Sequence, residues 1–186
     1  LDGKSPPIEI DTTANRMSPN PAPETKPTTD PAIPKIFISY RHEDSDSAAN
    51  HLYEKLGGHF GSENVFFDVS TIPIGRNFVE YLDEQVSQCD VLLAVIGKRW
   101  LEAIDENGDF RLQDENDFVR IEITSALNRE RITVVPVLVE GAKIPPRADL
   151  PPTMNELSVL NAAQVRTGPD FQRDVDNLIR ALESME

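Results

Sequence analysis

From residue 35 onward, apolar and polar positions are grouped in blocks whose period switches between that of a strand and that of a helix. "KIFISY" (35–40) is a β-branched and aromatic run that stops at the charged cluster "RHEDSD", which predicts a strand followed by a turn. Ala48, Leu52 and Leu56 then recur every four residues, a helix that the pair Gly57-Gly58 is expected to end. "NVFFD" (64–68) reads as a second short strand, followed by the loop "VSTIPIGRN" and a helix striped by Phe78, Leu82 and Val86. "DVLLAVIG" (90–97) has no polar alternation, the pattern of a strand buried on both faces. "ITVVPVLVE" (132–140) is similar, and its Pro136 places it towards one side of the sheet. A weak strand lies within "NAAQVR", and Phe171, Val175, Leu178 and Leu182 stripe a closing helix. Strand and helix alternate from end to end, which predicts an α/β fold with a parallel sheet and helices on both faces.

The opening segment lacks any such period. Eight of the fifteen prolines fall within residues 1–34, and proline both removes donors and fixes an extended backbone. Residues 1–33 are therefore expected to be a disordered linker and 34–186 the domain. The chain opens at Leu1 with no methionine and no signal-peptide pattern, so an upstream domain is expected before it. A chain of 186 residues has material for one substantial core.

Charge narrows the partners. A net charge of −14 and a pI near 4.6 argue against a nucleic-acid or anionic-membrane surface, both of which demand basic patches. No apolar run approaches the roughly 18 residues that cross a bilayer. The single cysteine, Cys89, excludes an internal disulfide and multi-cysteine metal centres, and a cytoplasmic setting is expected.

In open parallel sheets the ligand crevice lies outside the carboxyl ends of the strands, where strand order reverses. With a flavodoxin-like order, this directs attention to Ser39, Tyr40 and Arg41, the loop after Asp68, and the segment after Gly97. Arg41 at a strand end reads either as an anion clamp or as a surface arginine. Neither G-x-x-x-x-G-K-[ST] nor G-x-G-x-x-G occurs, so the standard phosphate cradles are missing. A receiver domain would need an acceptor aspartate where this chain has "VIGKR". His42, His51 and His59 gather around the first helix and read as surface residues rather than ligands or bases. "DENGD" (105–109) begins like a calcium loop, but Phe110 replaces the turn glycine and Asn116 the final glutamate, so no metal is expected there.

The stretch "DFVRIEITSAL" (117–127) carries a sharper signal. It predicts an amphipathic helix capped by Asn116 or Asp117, with Phe118, Glu122 and Ala126 stacked on one face. No lysine or arginine lies three or four residues from Glu122, which rules out an intrahelical salt bridge. The carboxylate either faces a pocket beside an aromatic ring, or snorkels at the helix edge or pairs with a distant arginine.

The ordered set "KIFISYR", "FFDVSTIPIGRNF", "DVLLAVIGKRWL", "NDFVRIEITSAL" and "ITVVPVLV" resembles the TIR (Toll/interleukin-receptor) domain in its bacterial, NAD+-cleaving form. The resemblance runs from about residue 34 to the end. It implies a flavodoxin-like, three-layer fold with a five-stranded parallel sheet of order 2-1-3-4-5. It also implies cleavage of NAD+ as substrate, no separate cofactor, self-association with other TIR domains, and a role in immune or stress signalling. Glu122 matches the family's catalytic glutamate and Phe118 the aromatic four residues earlier, often tryptophan in the family. Tyr40 and Arg41 match substrate-contacting positions, and Ile72, Gly75 and Arg76 match a mobile loop over the pocket. Arg41 and Arg76 are the candidates for the pyrophosphate. The main rival is a non-enzymatic TIR–TIR interaction module; a flavin or nucleotide binder on this fold would lack a recognisable phosphate loop.

Overall fold

The computed structural model describes residues 33–67 and 73–185. The linker expectation for residues 1–33 therefore lies outside the described residues, apart from Ile33. The sheet has five parallel strands: β1 (Ile36–Ser39), β2 (Val65–Phe67), β3 (Val91–Ile96), β4 (Thr133–Val139) and β5 (Ala163–Val165). Their order is β2-β1-β3-β4-β5, the flavodoxin-like arrangement. The crossovers carry helices α1 (His42–Phe60), α2 (Phe78–Val86) and α3 (Phe118–Leu127), and α4 (Phe171–Glu183) follows β5.

Strand side chains alternate between two cores. Ile36, Ile38, Leu93 and Val95 pack with Leu52 and Leu56 of α1 and Val175, Leu178 and Leu182 of α4. Phe37, Leu92, Ala94 and Ile96 pack on the opposite face with Val86 of α2 and Val119, Ile123 and Ala126 of α3. All six residues of β3 are buried, as the unbroken apolar run requires of a strand covered on both sides. Each fully buried Leu or Ile contributes about 1.5–3 kcal/mol relative to an exposed one.

Two expectations need correction. α1 runs through Gly57-Gly58 and ends at Phe60, where Gly61 takes φ 91° and its amide donates to the Gly57 carbonyl. The buried Leu56 and Phe60 hold that last turn against the core, so packing overrides the weak helix propensity of two glycines. The strand–helix alternation also lapses between β4 and β5, where the chain makes 3-10 turns at Arg147–Asp149 and Pro152–Val159. Pro145, Pro146, Pro151 and Pro152 withhold the amide donors that an α-helix would need there. Pro136 sits in the second strand from one side, and β5 pairs only with Val137–Val139 beyond it.

Polar contacts tie the layers together. Ser125 Oγ of α3 donates to Asp83 Oδ1 of α2 at 2.6 Å, and Arg129 donates to Asp83 Oδ2 at 2.7 Å. The Arg129 guanidinium first, then the Ser125 hydroxyl, hold the Asp83 carboxyl below the usual range. At the other end of the sheet, Asp174 of α4 accepts from the Arg166 guanidinium at 2.7 and 2.8 Å and from the Arg166 amide at 3.0 Å, clamping α4 to the end of β5. These bonds, the guanidinium's above all, hold the Asp174 carboxyl down at about 2. Its folded value lies below the roughly 3.9 of an unfolded aspartate, so the clamp's stability is present above about pH 4 and is lost as pH falls towards 2. Asp174→Asn is accordingly expected to lower the melting temperature at pH 7. In thermal melts its deficit against the parent should narrow between about pH 4 and pH 2. A deficit independent of pH would show that the carboxylate charge plays no part.

Candidate functional site

β1 ends at Ser39, and Tyr40 and Arg41 lead into the first turn of α1, which kinks at Ser45 (φ −133°, ψ 18°). That kink separates His42, Glu43 and Asp44 from the long body of the helix. Asp44 Oδ2 and Oδ1 accept from the amides of Gly97 and Arg99, each at 2.8 Å, which pins the segment after β3 to α1. A Cβ on Gly97 would collide with the Asp44 carboxylate, so any larger residue here would push that carboxylate off its two amide partners. On the far side, Asp117 is the N-cap of α3 and accepts from the Arg120 amide at 3.0 Å.

Between these elements lies a cleft of about 310 Å³. Ile38, Leu82 and Val119 form its apolar wall; Tyr40, Arg41, Glu43, Arg111, Phe118 and Glu122 supply its polar and aromatic parts. Glu122 is 8% exposed, and its Oε2 accepts a hydrogen bond from Ser39 Oγ at 2.6 Å. A buried carboxylate tolerates desolvation only with such a partner, and the serine also fixes its orientation. Phe118, one helical turn earlier, is 43% exposed at the mouth of the cleft, with its ring 5.4 Å from that of Phe78. The Tyr40 hydroxyl lies 3.4 Å from His42 Nδ1, and the two rings meet edge-on at 4.9 Å.

Of the residues singled out from the sequence, Tyr40, Arg41, Phe118 and Glu122 come together in this cleft. Ile72 lies outside the described residues. Gly75 and Arg76 stand on an exposed turn, where Arg76 pairs with Glu84 at 2.5 Å and covers the Tyr81 ring at 5.6 Å; neither lines the cleft.

Arg41, read from the sequence as an anion clamp or a surface arginine, lines the cleft with its guanidinium already paired. It is 2% exposed, and its NH1 and NH2 donate to Asp117 Oδ2 and Oδ1, both at 2.9 Å. Its Nε donates to the Trp100 carbonyl at 3.2 Å, and the guanidinium lies 5.7 Å from the Trp100 ring centroid. The fork is thus matched to one carboxylate and acts as a strut between β1 and the start of α3.

Ser39 carries no sequence signal beyond its place at a strand end. Arg111 and Glu43 gave no sequence signal. Arg111 comes from a 3-10 turn between β3 and α3, donates to Glu43 Oε1 at 3.0 Å, and lies 3.4 Å from Asp117 Oδ2. Arg111 and Phe118 also line a smaller adjoining depression of about 140 Å³ with Asp105, Asp114 and Asn116. Asp105 accepts from the Asn107 and Asp109 amides at 2.8 and 2.9 Å, closing a local turn. Among the described residues, no helix is long and apolar enough to cross a membrane.

The family model for the TIR domain matches residues 36–179. In fold, the chain is similar to a solved structure described as the activated Roq1 resistosome directly recognizing the pathogen effector XopQ (TIR domains). That match has 13% identity and a TM-score of 0.57, and covers 80% of this chain and 99% of the other.

Proposed function

This chain belongs to the TIR domain family, and we propose that it cleaves the nicotinamide–ribose bond of NAD+, with Glu122 as the catalytic carboxylate. The observation that carries this reading is the Glu122 side chain held by Ser39 in the cleft, one turn from an exposed aromatic ring. In the reaction the C1′–N bond breaks heterolytically and its electron pair returns to the pyridinium nitrogen. Nicotinamide therefore leaves neutral, and no general acid is required. The ribose carbon becomes oxocarbenium-like, as in glycoside cleavage, and the Glu122 carboxylate stabilises that positive charge in a site largely shielded from water. Phe118 offers a face on which the pyridinium can stack. Water capture of the cation, with loss of a proton, gives ADP-ribose. Capture by an adenine nitrogen or a ribose hydroxyl gives a cyclic isomer.

A second reading, a TIR–TIR interaction module, has its own supporting observation: Ile74 is fully exposed on the turn that also carries Gly75 and Arg76. Apolar exposure of this kind suits a surface met by a partner. The two readings combine if association completes the cleft. Incubation with NAD+, followed by mass spectrometry of the products over a hundredfold range of protein concentration, tests both. Nicotinamide and ADP-ribose or its cyclic isomer are expected, with specific activity rising with concentration. No product at any concentration would leave the interaction module. Constant specific activity would remove the requirement for association.

A further inference from the structure

We propose that Arg111 recognises the pyrophosphate of the dinucleotide, and that Glu43 occupies its guanidinium until substrate arrives; this rests on the reading that the cleft takes NAD+. Among the described residues, the arginines lining the cleft are Arg41 and Arg111. Arg41 has its fork filled by Asp117 and its Nε filled by the Trp100 carbonyl. Arg111 is placed differently. Its side chain is 33% exposed, and its close partner Glu43 is 62% exposed. An ion pair that open to water is weak, so a phosphate, which can offer two anionic oxygens to the same guanidinium edge, can displace the carboxylate at little cost. Its other acidic neighbour, Asp117, is already matched to Arg41 and leaves Arg111 only a contact at 3.4 Å.

Position supports the assignment independently of charge. Arg111 lines both the cleft of about 310 Å³ and the depression of about 140 Å³, so its guanidinium stands where two compartments meet. NAD+ has the corresponding layout, two nucleosides joined by an anionic bridge. The larger compartment is at the small end of ligand sites, which run from about 300 to 1,000 Å³, and holds Glu122 beside Phe118 for the nicotinamide half. The smaller one is lined by Asp105, Asp114 and Asn116; Asp105 and Asp114 already accept from the Asn107, Asp109 and Asn116 amides, and the lone pairs left on their oxygens suit the hydroxyl and amine donors of the adenosine half. In a protein of net charge −14, a bridging anion needs a local cation, and the assignment supplies one.

The two partners give opposite signs, which makes the test decisive. Arg111→Ala is expected to raise the KM for NAD+ about tenfold to a hundredfold, with a much smaller fall in kcat. Inhibition by nicotinamide, which carries no phosphate, should stay at the parent value. Glu43→Gln removes the resident competitor and a repelling charge, so the KM for NAD+ should fall several-fold. The assignment is overturned if Arg111→Ala weakens nicotinamide inhibition as much as NAD+ use, or if Glu43→Gln leaves the KM unchanged or raises it. A parent protein that cleaves NAD+ while both variants match it loses only Arg111. A parent protein that fails to cleave NAD+ loses the underlying reading and Arg111 with it.

Discussion

Glu122→Gln is expected to give a folded protein whose cleavage of NAD+ falls by about 100-fold or more, the usual consequence of removing one transition-state electrostatic partner. The substitution is nearly isosteric, and its amide oxygen can still accept the hydrogen bond that Ser39 Oγ gives Glu122 at 2.6 Å. What disappears is the negative charge that faces the developing cation. KM should change little, because the charge matters most after the bond has begun to break. Circular dichroism and thermal melting, run beside the product assay, separate the possibilities. Turnover near the parent rate would remove Glu122 from the mechanism. An unfolded variant would mean that the carboxylate serves the fold instead.

The second large effect concerns stability. Arg41→Ala leaves Asp117 buried, 1% exposed in its side chain, with its bidentate partner gone. Breaking a buried pair by removing one member typically costs about 3–5 kcal/mol, because the remaining charge is uncompensated. Arg111 at 3.4 Å and the Arg120 amide at 3.0 Å offset part of that loss and cannot reproduce two bonds of 2.9 Å. Arg41→Lys should recover little, since an ammonium cannot span both carboxylate oxygens. Combining Arg41→Met with Asp117→Asn should be less damaging than Arg41→Ala alone, because no buried charge then remains. Urea denaturation of these variants gives the comparison. A loss below about 1 kcal/mol in Arg41→Ala would show that water reaches Asp117.

The parts of this protein legible in its sequence are those that depend on neighbours along the chain. The apolar runs that became β1, β3 and β4 needed only their own composition. Glu122 and Phe118 met because residues four apart share a helical face, and the cap was legible to within one residue, Asn116 or Asp117, of which Asp117 serves. Sheet order was different, since no local pattern encodes it and resemblance to a family supplied it. Arg41 shows the same boundary at a single side chain. Its position at a strand end was legible, but Asp117, the carboxylate that meets its fork, lies 76 residues away. Arg111 and Glu43 are 68 residues apart in polar stretches, and only folding brings them together. The helix through Gly57-Gly58 went the other way: the local signal was real and the packing of Leu56 and Phe60 outweighed it.

Cys89, the chain's single cysteine, is completely buried between α2 and β3, and its Sγ donates to the Val86 carbonyl at 3.1 Å. Burial, more than the neighbouring Asp90 charge, pushes its thiol up to about 12, so the reactive thiolate is nearly absent from the native state at neutral pH. A thiol probe can therefore modify the folded domain only through moments when the core around β3 opens. The molecule carries its own clock: the pace of alkylation at this one sulfur counts openings of the central strand, with no label added and no residue of the cleft disturbed.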